Sequence, residues 1–230
     1  LITGASRGFG RAVASALAER GWSLVIDGRS GDALKATLGQ LLDAGATAVI
    51  AHTGDVADPR HREQLAASVQ GQALDLLVNN ASRLGPSPQP RLADYAHHEW
   101  RQVYEVNVLA PLALTQILLP ALRSSSAVVV NLSSDAAVAP YEGWGGYGSS
   151  KAALDQWSAI LASEEPDLRV YAFDPGDMRT QMHQEAFPTE DISDRPEPET
   201  VVPALLRLLA KRPVSGRYQA SRWLVQGAVA

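Results

Sequence analysis

The sequence predicts an α/β fold, a parallel and doubly wound sheet with helices on both faces. Short apolar runs alternate with longer helical patterns over the whole length, which implies right-handed strand–helix–strand crossovers. The runs Leu76–Val78 and Val128–Val130 are apolar without alternation, as is typical of strands covered on both faces. Because 230 residues suit one large α/β domain, we expect a single domain spanning residues 1–230.

The elements follow one another in a regular order. Strands are predicted at Leu1–Thr3, Ser23–Asp27, Thr47–Thr53, Leu74–Asn79, Ala127–Leu132, Arg169–Phe173 and Arg217–Ala220. Helices are predicted at Gly10–Arg20, Asp32–Ala44, Asp58–Gln70, Asp94–Leu122, Tyr147–Ser163 and Thr200–Ala210. Asp58 followed by Pro59 is typical of a helix N-cap, and Gly21 and Gly45 stand where helices should end.

Composition excludes several classes of function. Twenty basic and 25 acidic residues give a net charge of −5, which argues against binding to nucleic acid or to an anionic membrane. There is no cysteine, and the adjacent His97-His98-Glu99 lacks the spacing of a helical zinc pair, so we expect no metal site. No uninterrupted apolar run approaches the roughly 20 residues that span a bilayer. The chain begins within a predicted strand, so we expect missing upstream residues and a cytoplasmic protein.

A glycine-rich turn follows the first predicted strand. Thr3–Gly10 reads TGASRGFG, with the spacing G-x3-G-x-G, and opens the first helix. Glycines allow a tight turn and let the backbone approach a diphosphate at the positive N-terminus of a helix. The alternative is a simple strand-to-helix turn, but the position at the head of a strand–helix–strand unit favours dinucleotide binding.

Polar residues end the next strands at the same edge of the predicted sheet. Asp55-Val56 follows the third strand, and Asn79-Asn80-Ala81-Ser82 ends the fourth. Ligands of doubly wound sheets bind at this edge. Asp55 could instead cap a helix or form a turn, and the paired asparagines could be ordinary turn residues.

Tyr147 and Lys151 stand four residues apart, so on a helix both side chains share one face. A neighbouring ammonium favours the phenolate form of tyrosine and so lowers a pKa that is otherwise about 10. Ser134 lies at the end of the fifth predicted strand, where its hydroxyl could meet the same reacting oxygen.

Together these motifs resemble the short-chain dehydrogenase/reductase family, whose fold is of the Rossmann type. The resemblance runs from Leu1 to about Thr180. It rests on the Thr3–Gly10 turn, Asp55, Asn79-Asn80-Ala81, Asn107, Ser134, Tyr147, Lys151 and the stretch from Pro175-Gly176 to Thr180. One departure is Ser82, where the family usually has glycine; we expect it to alter loop packing near the cofactor without touching the chemistry.

The resemblance implies hydride transfer between a nicotinamide and a carbonyl or secondary alcohol of a small molecule. Tyr147 would be the general acid in reduction and the base in oxidation, Lys151 would lower its pKa, and Ser134 would hydrogen-bond the substrate oxygen. The implied cofactor-binding residues are Gly4, Ser6, Arg7, Gly8, Phe9, Gly10, Arg29, Asp55, Val56, Asn80, Ala81, Tyr147, Lys151, Pro175, Gly176 and Thr180. The resemblance also implies a homotetramer or homodimer.

Asn107 would hold a water that links Lys151 to solvent. Pro111, four residues later, has no N–H, so the Asn107 carbonyl loses its normal helical donor and the helix should kink. We hypothesise that Pro111 thereby helps to build a proton relay.

The cofactor is expected to be NADP, with NAD as the alternative. The position at which an acidic residue would select NAD is Gly28, and Arg29 follows it directly. Arg29 and Arg7 could pair with a 2′-phosphate. Asp27 complicates this prediction, because a shift of one residue in the turn would restore a preference for NAD.

The segment around 182–200 breaks the strand–helix rhythm and is interpreted as a substrate loop or a solvated loop. Trp144 before the tyrosine, and Met182, His183 and Phe187 in the loop, could line the substrate pocket or simply pack. The leading function is an NADP-dependent oxidoreductase. The alternatives are an NAD-dependent alcohol dehydrogenase, a non-catalytic nucleotide-binding sensor and, least favoured, a sugar-nucleotide epimerase or dehydratase.

Overall fold

The computed structural model describes residues 1–224. Its strands are β1 (Ser23–Gly28), β2 (Ala48–Thr53), β3 (Leu76–Asn79), β4 (Val128–Leu132), β5 (Arg169–Asp174) and β6 (Gly216–Gln219). Its α-helices are α1 (Gly8–Ala18), α2 (Gly31–Asp43), α3 (Pro59–Ala67), α4 (His97–Tyr104), α5 (Ala110–Ser124), α6 (Gly145–Glu164), α7 (Gln181–Ala186) and α8 (Pro198–Lys211). Strand and helix alternate as the sequence predicts.

All strand pairs are parallel, and the strand order reverses at the centre of the sheet. β1 pairs with β2, and β3 to β6 follow one another on the other side. Ile2 bridges the two halves through parallel contacts with Ile26 and Val78. The predicted strand Leu1–Thr3 is thus reduced to one bridging residue, because the chain turns into the glycine-rich turn directly after it. This reversal is the topological switch point at which doubly wound sheets bind ligands.

Two apolar cores cover the two faces of the sheet. Residues on the same strand alternate between them: Val78 and Val130 belong to the core formed with α1, α2 and α8, whereas Leu77 and Val129 belong to the core formed with α3 and α5. Both faces are therefore apolar, which explains why the central strands lack sequence alternation.

Several helix boundaries agree with the local signals in the sequence. Asp58 caps α3 by accepting a hydrogen bond from the Arg60 N–H at 2.9 Å, with Pro59 at the first helical position. Gly21 and Gly45 follow α1 and α2 with positive φ angles of 72° and 108°. The first helix begins at Gly8, two residues earlier than predicted, so the last glycines of the turn belong to the helix itself.

The long helix predicted over Asp94–Leu122 is interrupted. Leu92–Asp94 forms a 3₁₀ turn, and a π-helical segment, Glu105–Leu109, separates α4 from α5. The Ala110 N–H bonds to the Glu105 carbonyl, five residues back. A break in the helix was predicted at Asn107, and the π-helical segment includes that residue; π-helical turns are frequent at functional sites.

Within residues 1–224, the helical stretch His97–Ser124 is long and apolar enough to cross a membrane by length and composition, since an 18-residue window in it has a mean hydropathy of 1.5. The sequence-based expectation considered only uninterrupted apolar runs and did not identify it. Leu114, Leu118 and Leu122 of α5 are buried against the sheet, so packing in the core accounts for this apolar character.

Candidate active site

A cavity of about 1020 Å³ opens at the switch point. The predicted site residues that line it are Gly4, Ser6, Arg7, Gly8, Phe9, Arg29, Asp55, Val56, Asn80, Ala81, Ser134, Tyr147, Lys151, Pro175, Gly176 and Thr180. Gly10 and Asn107 do not line it, so their assigned roles at the cofactor and in the proton relay stay predictions. Segments far apart in the chain therefore meet at one site.

The glycine-rich turn leaves room and donors for an anion. Gly4 and Gly8 have positive φ angles of 66° and 56°, which glycine adopts without strain. Among residues 1–224, no side chain caps the N-terminus of α1, where Arg7 is the N-cap, so its first N–H groups can bind a ligand. These features fit the diphosphate of a dinucleotide.

Gly10 and Asn80 have a structural role that the sequence did not indicate. The Asn80 side-chain amide donates to the carbonyls of Thr3 (2.8 Å) and Gly4 (3.1 Å), so it holds the glycine turn to the end of β3. A Cβ on Gly10 would lie 2.4 Å from that amide nitrogen. Glycine is therefore required at position 10 by Asn80 and not by direct contact with the cavity.

Asp27 lies buried beneath the glycine turn. Its Oδ1 accepts the Gly4 N–H at 2.6 Å, and its Oδ2 accepts a hydrogen bond from His61 Nε2 at 2.9 Å. Both carboxylate oxygens are thus engaged. At Gly28, a Cβ would lie 2.8 Å from the Ser6 side chain, so a larger residue has no room at this position unless Ser6 moves.

One end of the cavity is rich in arginine. Arg7 and Arg29 line it and are exposed, as predicted for a 2′-phosphate site. Arg11 also lines it and was missed, although it follows Arg7 by one helical turn and therefore shares its face of α1. Arg7 also hydrogen-bonds Gln181, which joins the turn to α7.

Asp55 and Val56 line the cavity. Asp55 also forms a turn, which is the alternative role that its position in the sequence allowed. Its Oδ1 accepts the Ala57 N–H at 2.9 Å. On the opposite side, Gly176 has a φ angle of 74°, and Thr180 caps α7 through its hydroxyl. The Thr180 methyl would lie 3.7 Å from a Cβ on Gly8, so this segment closes over the glycine turn.

Tyr147 and Lys151 share a face of α6 as predicted. Lys151 Nζ lies 5.4 Å from the centroid of the Tyr147 ring and donates to the Leu132 carbonyl at 2.6 Å. Gly148 lets the start of α6 approach closely, since a Cβ there would lie 2.7 Å from the Ala136 carbonyl. This approach brings Tyr147 next to the segment that begins with Ser134.

Burial dominates the ionisation of this pair. It raises the pKa of Tyr147 well above its usual value, and the hydroxyl groups of Ser82 and Ser134 lower that pKa by less. Burial also lowers the pKa of Lys151 to about 8, against an opposing effect of the Asp155 carboxylate. The predicted lowering of the tyrosine pKa by the ammonium is therefore not the main effect.

Ser134 is held from two sides. Its hydroxyl donates to Asp135 Oδ1 at 3.0 Å, and its carbonyl accepts from Arg217 Nη2 at 2.8 Å. Arg217 also bonds Asp155 and Asp174, each at 3.0 Å, so β6 is tied to α6 and β5 behind the site. Sequence reasoning missed Arg217 because nothing in its local pattern distinguishes it from a surface arginine.

The Asn107 side chain is fully used within the protein. Its amide donates to the Arg83 carbonyl and to Ser150 Oγ, both at 2.9 Å, and its oxygen accepts the Arg83 N–H at 2.8 Å. It thereby joins the loop after β3 to α6. The relay through its main-chain carbonyl stays a prediction.

Ser82 lies closer to the chemistry than predicted. It lines the cavity, and its hydroxyl donates to Asn107 Oδ1 at 3.2 Å. The same hydroxyl also lies next to the Tyr147 phenol, whose pKa it lowers when it turns to donate to the phenolate. The expectation that it affects only loop packing is wrong. The departure from glycine was itself the signal that could have indicated a role.

Comparisons with known proteins agree with this arrangement. A family model described as short chain dehydrogenase matches residues 1–191. Serine 3-dehydrogenase of Agrobacterium fabrum is 38% identical over 189 residues, 79% of this chain and 72% of that protein. Benzil reductase ((S)-benzoin forming) of Saccharomyces cerevisiae is 33% identical over 215 residues, 90% of this chain and 79% of that protein.

A solved short chain dehydrogenase from Shigella flexneri, complexed with NADP, matches with a TM-score of 0.89 at 30% identity, covering 96% of this chain and 95% of that one. Such likeness over nearly the full length confirms the Rossmann-type fold. It also identifies the protein as an oxidoreductase. The chain belongs to the short-chain dehydrogenase family.

Proposed function

We propose that this enzyme is an NADP(H)-dependent oxidoreductase that interconverts a carbonyl and a secondary alcohol on a small molecule. The observation that carries the proposal is the meeting of Tyr147, Lys151 and Ser134 in the wall of the cavity that begins at the glycine turn. A proton donor, a cation and a hydroxyl then lie beside one ligand site.

The choice of NADP over NAD rests on charge. Arg7, Arg11 and Arg29 line the end of the cavity next to Gly28, and guanidinium groups pair with phosphate oxygens. Asp27, whose carboxylate could have favoured NAD, has both oxygens engaged within the protein. When bound, the nicotinamide supplies or accepts the hydride.

The proton is assigned to Tyr147. Because burial raises its pKa, Tyr147 is a neutral phenol at physiological pH and can donate its proton to a carbonyl oxygen as negative charge develops there. The Ser134 hydroxyl, which donates to Asp135 in the structure, would turn to donate to the same oxygen when substrate binds. Lys151, with a pKa of about 8, is mostly cationic at neutral pH and favours the loss of that proton.

Kinetics with both nicotinamides test the proposal. Carbonyl compounds and secondary alcohols are screened by nicotinamide absorbance, and NADPH is expected to give the higher kcat/KM. Tyr147→Phe should reduce turnover at least ~100-fold while NADPH binding persists. Arg29→Ala should raise the KM for NADPH more than that for NADH. A clear preference for NADH would refute the cofactor assignment, and unchanged turnover of Tyr147→Phe would refute the role of the tyrosine.

A further inference from the structure

Beside Tyr147 the cavity has an apolar end, formed by residues outside the predicted cofactor site. Three separate segments build it: the loop after β3 contributes Leu84, the start of α6 contributes Trp144, and α7 contributes Met182 and Ala186. These side chains pack with Tyr147 into one cluster. We call this cluster the apolar end.

Trp144 forms an aromatic wall next to the phenol. Its ring centroid lies 5.7 Å from that of Tyr147, with the ring planes at 74°, and 5.9 Å from that of Phe187. Trp144 is only half-buried, so part of the indole faces the cavity. An aromatic ring whose carbonyl is hydrogen-bonded to Tyr147 would pack against this indole.

The position of the wall is fixed by the backbone around it. Gly143 has a φ angle of 84°, and a Cβ there would lie 3.2 Å from the Gln89 carbonyl. A Cβ on Gly145 would lie 2.4 Å from the Leu92 side chain. Close packing on both sides of Trp144 therefore leaves the indole little freedom to move away from the phenol.

The charges around the apolar end disfavour anionic substrates. Within the described residues, two of the arginines that line the cavity are already paired, Arg83 with Glu99 at 3.0 Å and Arg179 with Glu197, and Arg7 hydrogen-bonds Gln181 of α7. Carboxylates line the same part of the cavity, contributed by Asp135, Asp177 and Glu185. A substrate carboxylate or phosphate would be repelled by these carboxylates, whereas the arginines near Gly28 are suited to the cofactor.

We propose that the apolar end binds an aromatic group, so that the enzyme acts on uncharged aryl ketones or aryl aldehydes. The substrate carbonyl lies at Tyr147 and Ser134, and the aryl ring packs between Trp144 and the side chains of Leu84 and Met182. This inference rests on the proposed carbonyl chemistry but makes a separate claim about substrate class.

Three carbonyl compounds of similar size test the claim: acetophenone, cyclohexyl methyl ketone and 4-acetylbenzoate. Their kcat/KM values are measured with NADPH for the wild type and for Trp144→Leu, which keeps an apolar side chain but removes the ring. The ratio of wild type to variant cancels the intrinsic reactivity of each ketone. Trp22→Leu is the matched control, since Trp22 packs on the core near β1 and does not line the cavity.

We expect Trp144→Leu to lower kcat/KM for acetophenone about 2- to 10-fold more than for the cyclohexyl ketone, the scale of an aromatic contact. The wild type should reduce 4-acetylbenzoate at least ~10-fold less efficiently than acetophenone. Equal losses for both neutral ketones, or a preference for the benzoate, would overturn the proposal.

Failure of the proposed function gives a different result. If the wild type oxidises NADPH with none of the three compounds, turnover of aryl ketones is refuted, whereas carbonyl reduction as such is decided by the broader screen described above. Acetophenone binding is then measured by saturation-transfer NMR. Weaker binding to Trp144→Leu than to the wild type and Trp22→Leu supports the apolar end as an aryl site. Equal binding to all three proteins contradicts it.

Discussion

Asp27 and His61 form a buried hydrogen bond of 2.9 Å directly beneath the glycine-rich turn. The other oxygen of Asp27 accepts the Gly4 N–H, so the pair supports the backbone on which the diphosphate would rest. Gly54 completes the arrangement, because a Cβ there would lie 2.2 Å from His61 Nδ1. Asp27 also lines the cavity, but a carboxylate at the end of β1 is compatible with an arginine-rich cofactor site because Gly4 and His61 engage both of its oxygens.

Removal of the His61 imidazole should destabilise the fold, because it leaves the buried Asp27 carboxylate without one of its two hydrogen-bond partners. We expect His61→Ala to lower the free energy of unfolding by about 3 kcal/mol. Urea-induced unfolding measures this change. The double variant Asp27→Asn, His61→Ala should recover part of the loss, because it no longer buries a charge.

Gly54 and His61 should be energetically coupled. Gly54→Ala forces a collision with the imidazole and should destabilise the wild type by about 1–3 kcal/mol. In the His61→Ala background the collision is absent, so the same substitution should be neutral or stabilising. A double-mutant cycle of unfolding free energies measures the coupling, and additive effects would contradict this account.

Gly10 and Gly39 offer a matched pair of helical glycines. Gly10→Ala would place its Cβ 2.4 Å from Asn80 Nδ2 and 2.7 Å from the Gly4 carbonyl, so we expect a loss of about 1–3 kcal/mol and weaker NADPH binding. For Gly39 in α2, no atom of the part of the chain that the structure describes lies within 4 Å of an added Cβ. Gly39→Ala should therefore gain about 0.5–1 kcal/mol with unchanged binding. Equilibrium unfolding and a cofactor titration distinguish the two.

These glycines show what sequence reasoning could and could not reach. The fold was predictable because central strands such as Val128–Val130 are apolar on both faces and several helices, such as α1, α2 and α3, have their own end signals. The site residues could be placed at one sheet edge by topology alone. That Gly10 makes room for Asn80, however, depends on a contact between residues 70 positions apart, for which no local pattern exists.

The same limit applies to ionisation. The spacing of Tyr147 and Lys151 predicted their common face, and the structure confirms it. It could not predict that burial has the larger effect on both groups, because burial is set by the loops that cover the cavity. Ser82 was underestimated for the same reason, since its proximity to the phenol depends on the path of the loop after β3.

Ser82 should influence the pH dependence of alcohol oxidation. Oxidation needs Tyr147 to accept a proton, so its rate rises as pH approaches the tyrosine pKa. The Ser82 hydroxyl lowers that pKa, and Ser82→Ala should therefore move the rising limb of kcat/KM to higher pH. Carbonyl reduction near pH 7 should change little, because the phenol is protonated in both proteins.

Ser149→Ala is the control for this experiment. Ser149 lies on α6 beside Tyr147, but its hydroxyl bonds to the Gly145 carbonyl within the helix. Its pH profile should match that of the wild type. If Ser82→Ala leaves the oxidation profile in place, or shifts it to lower pH, the hydroxyl does not stabilise the phenolate.

Lys151 should make folding stability depend on pH in a defined window. Its pKa is about 8 in the folded protein and 10.5 in the absence of burial, so between these values the unfolded chain holds a proton that the folded protein has released. Wild-type stability should therefore rise with pH across this window, by about 1.4 kcal/mol per unit relative to Lys151→Met. Urea unfolding at pH 8, 9 and 10 measures the difference, and Lys35→Met, at an exposed lysine of α2, controls for the loss of a positive charge. A difference between wild type and Lys151→Met that stays constant over this range would mean that the lysine is not titrating inside the fold.

At pH 7 burial of the charged ammonium lowers the free energy of unfolding, so Lys151→Met should unfold at a higher urea concentration than the wild type. The same variant should lose turnover, as expected for a residue retained for chemistry at the expense of stability.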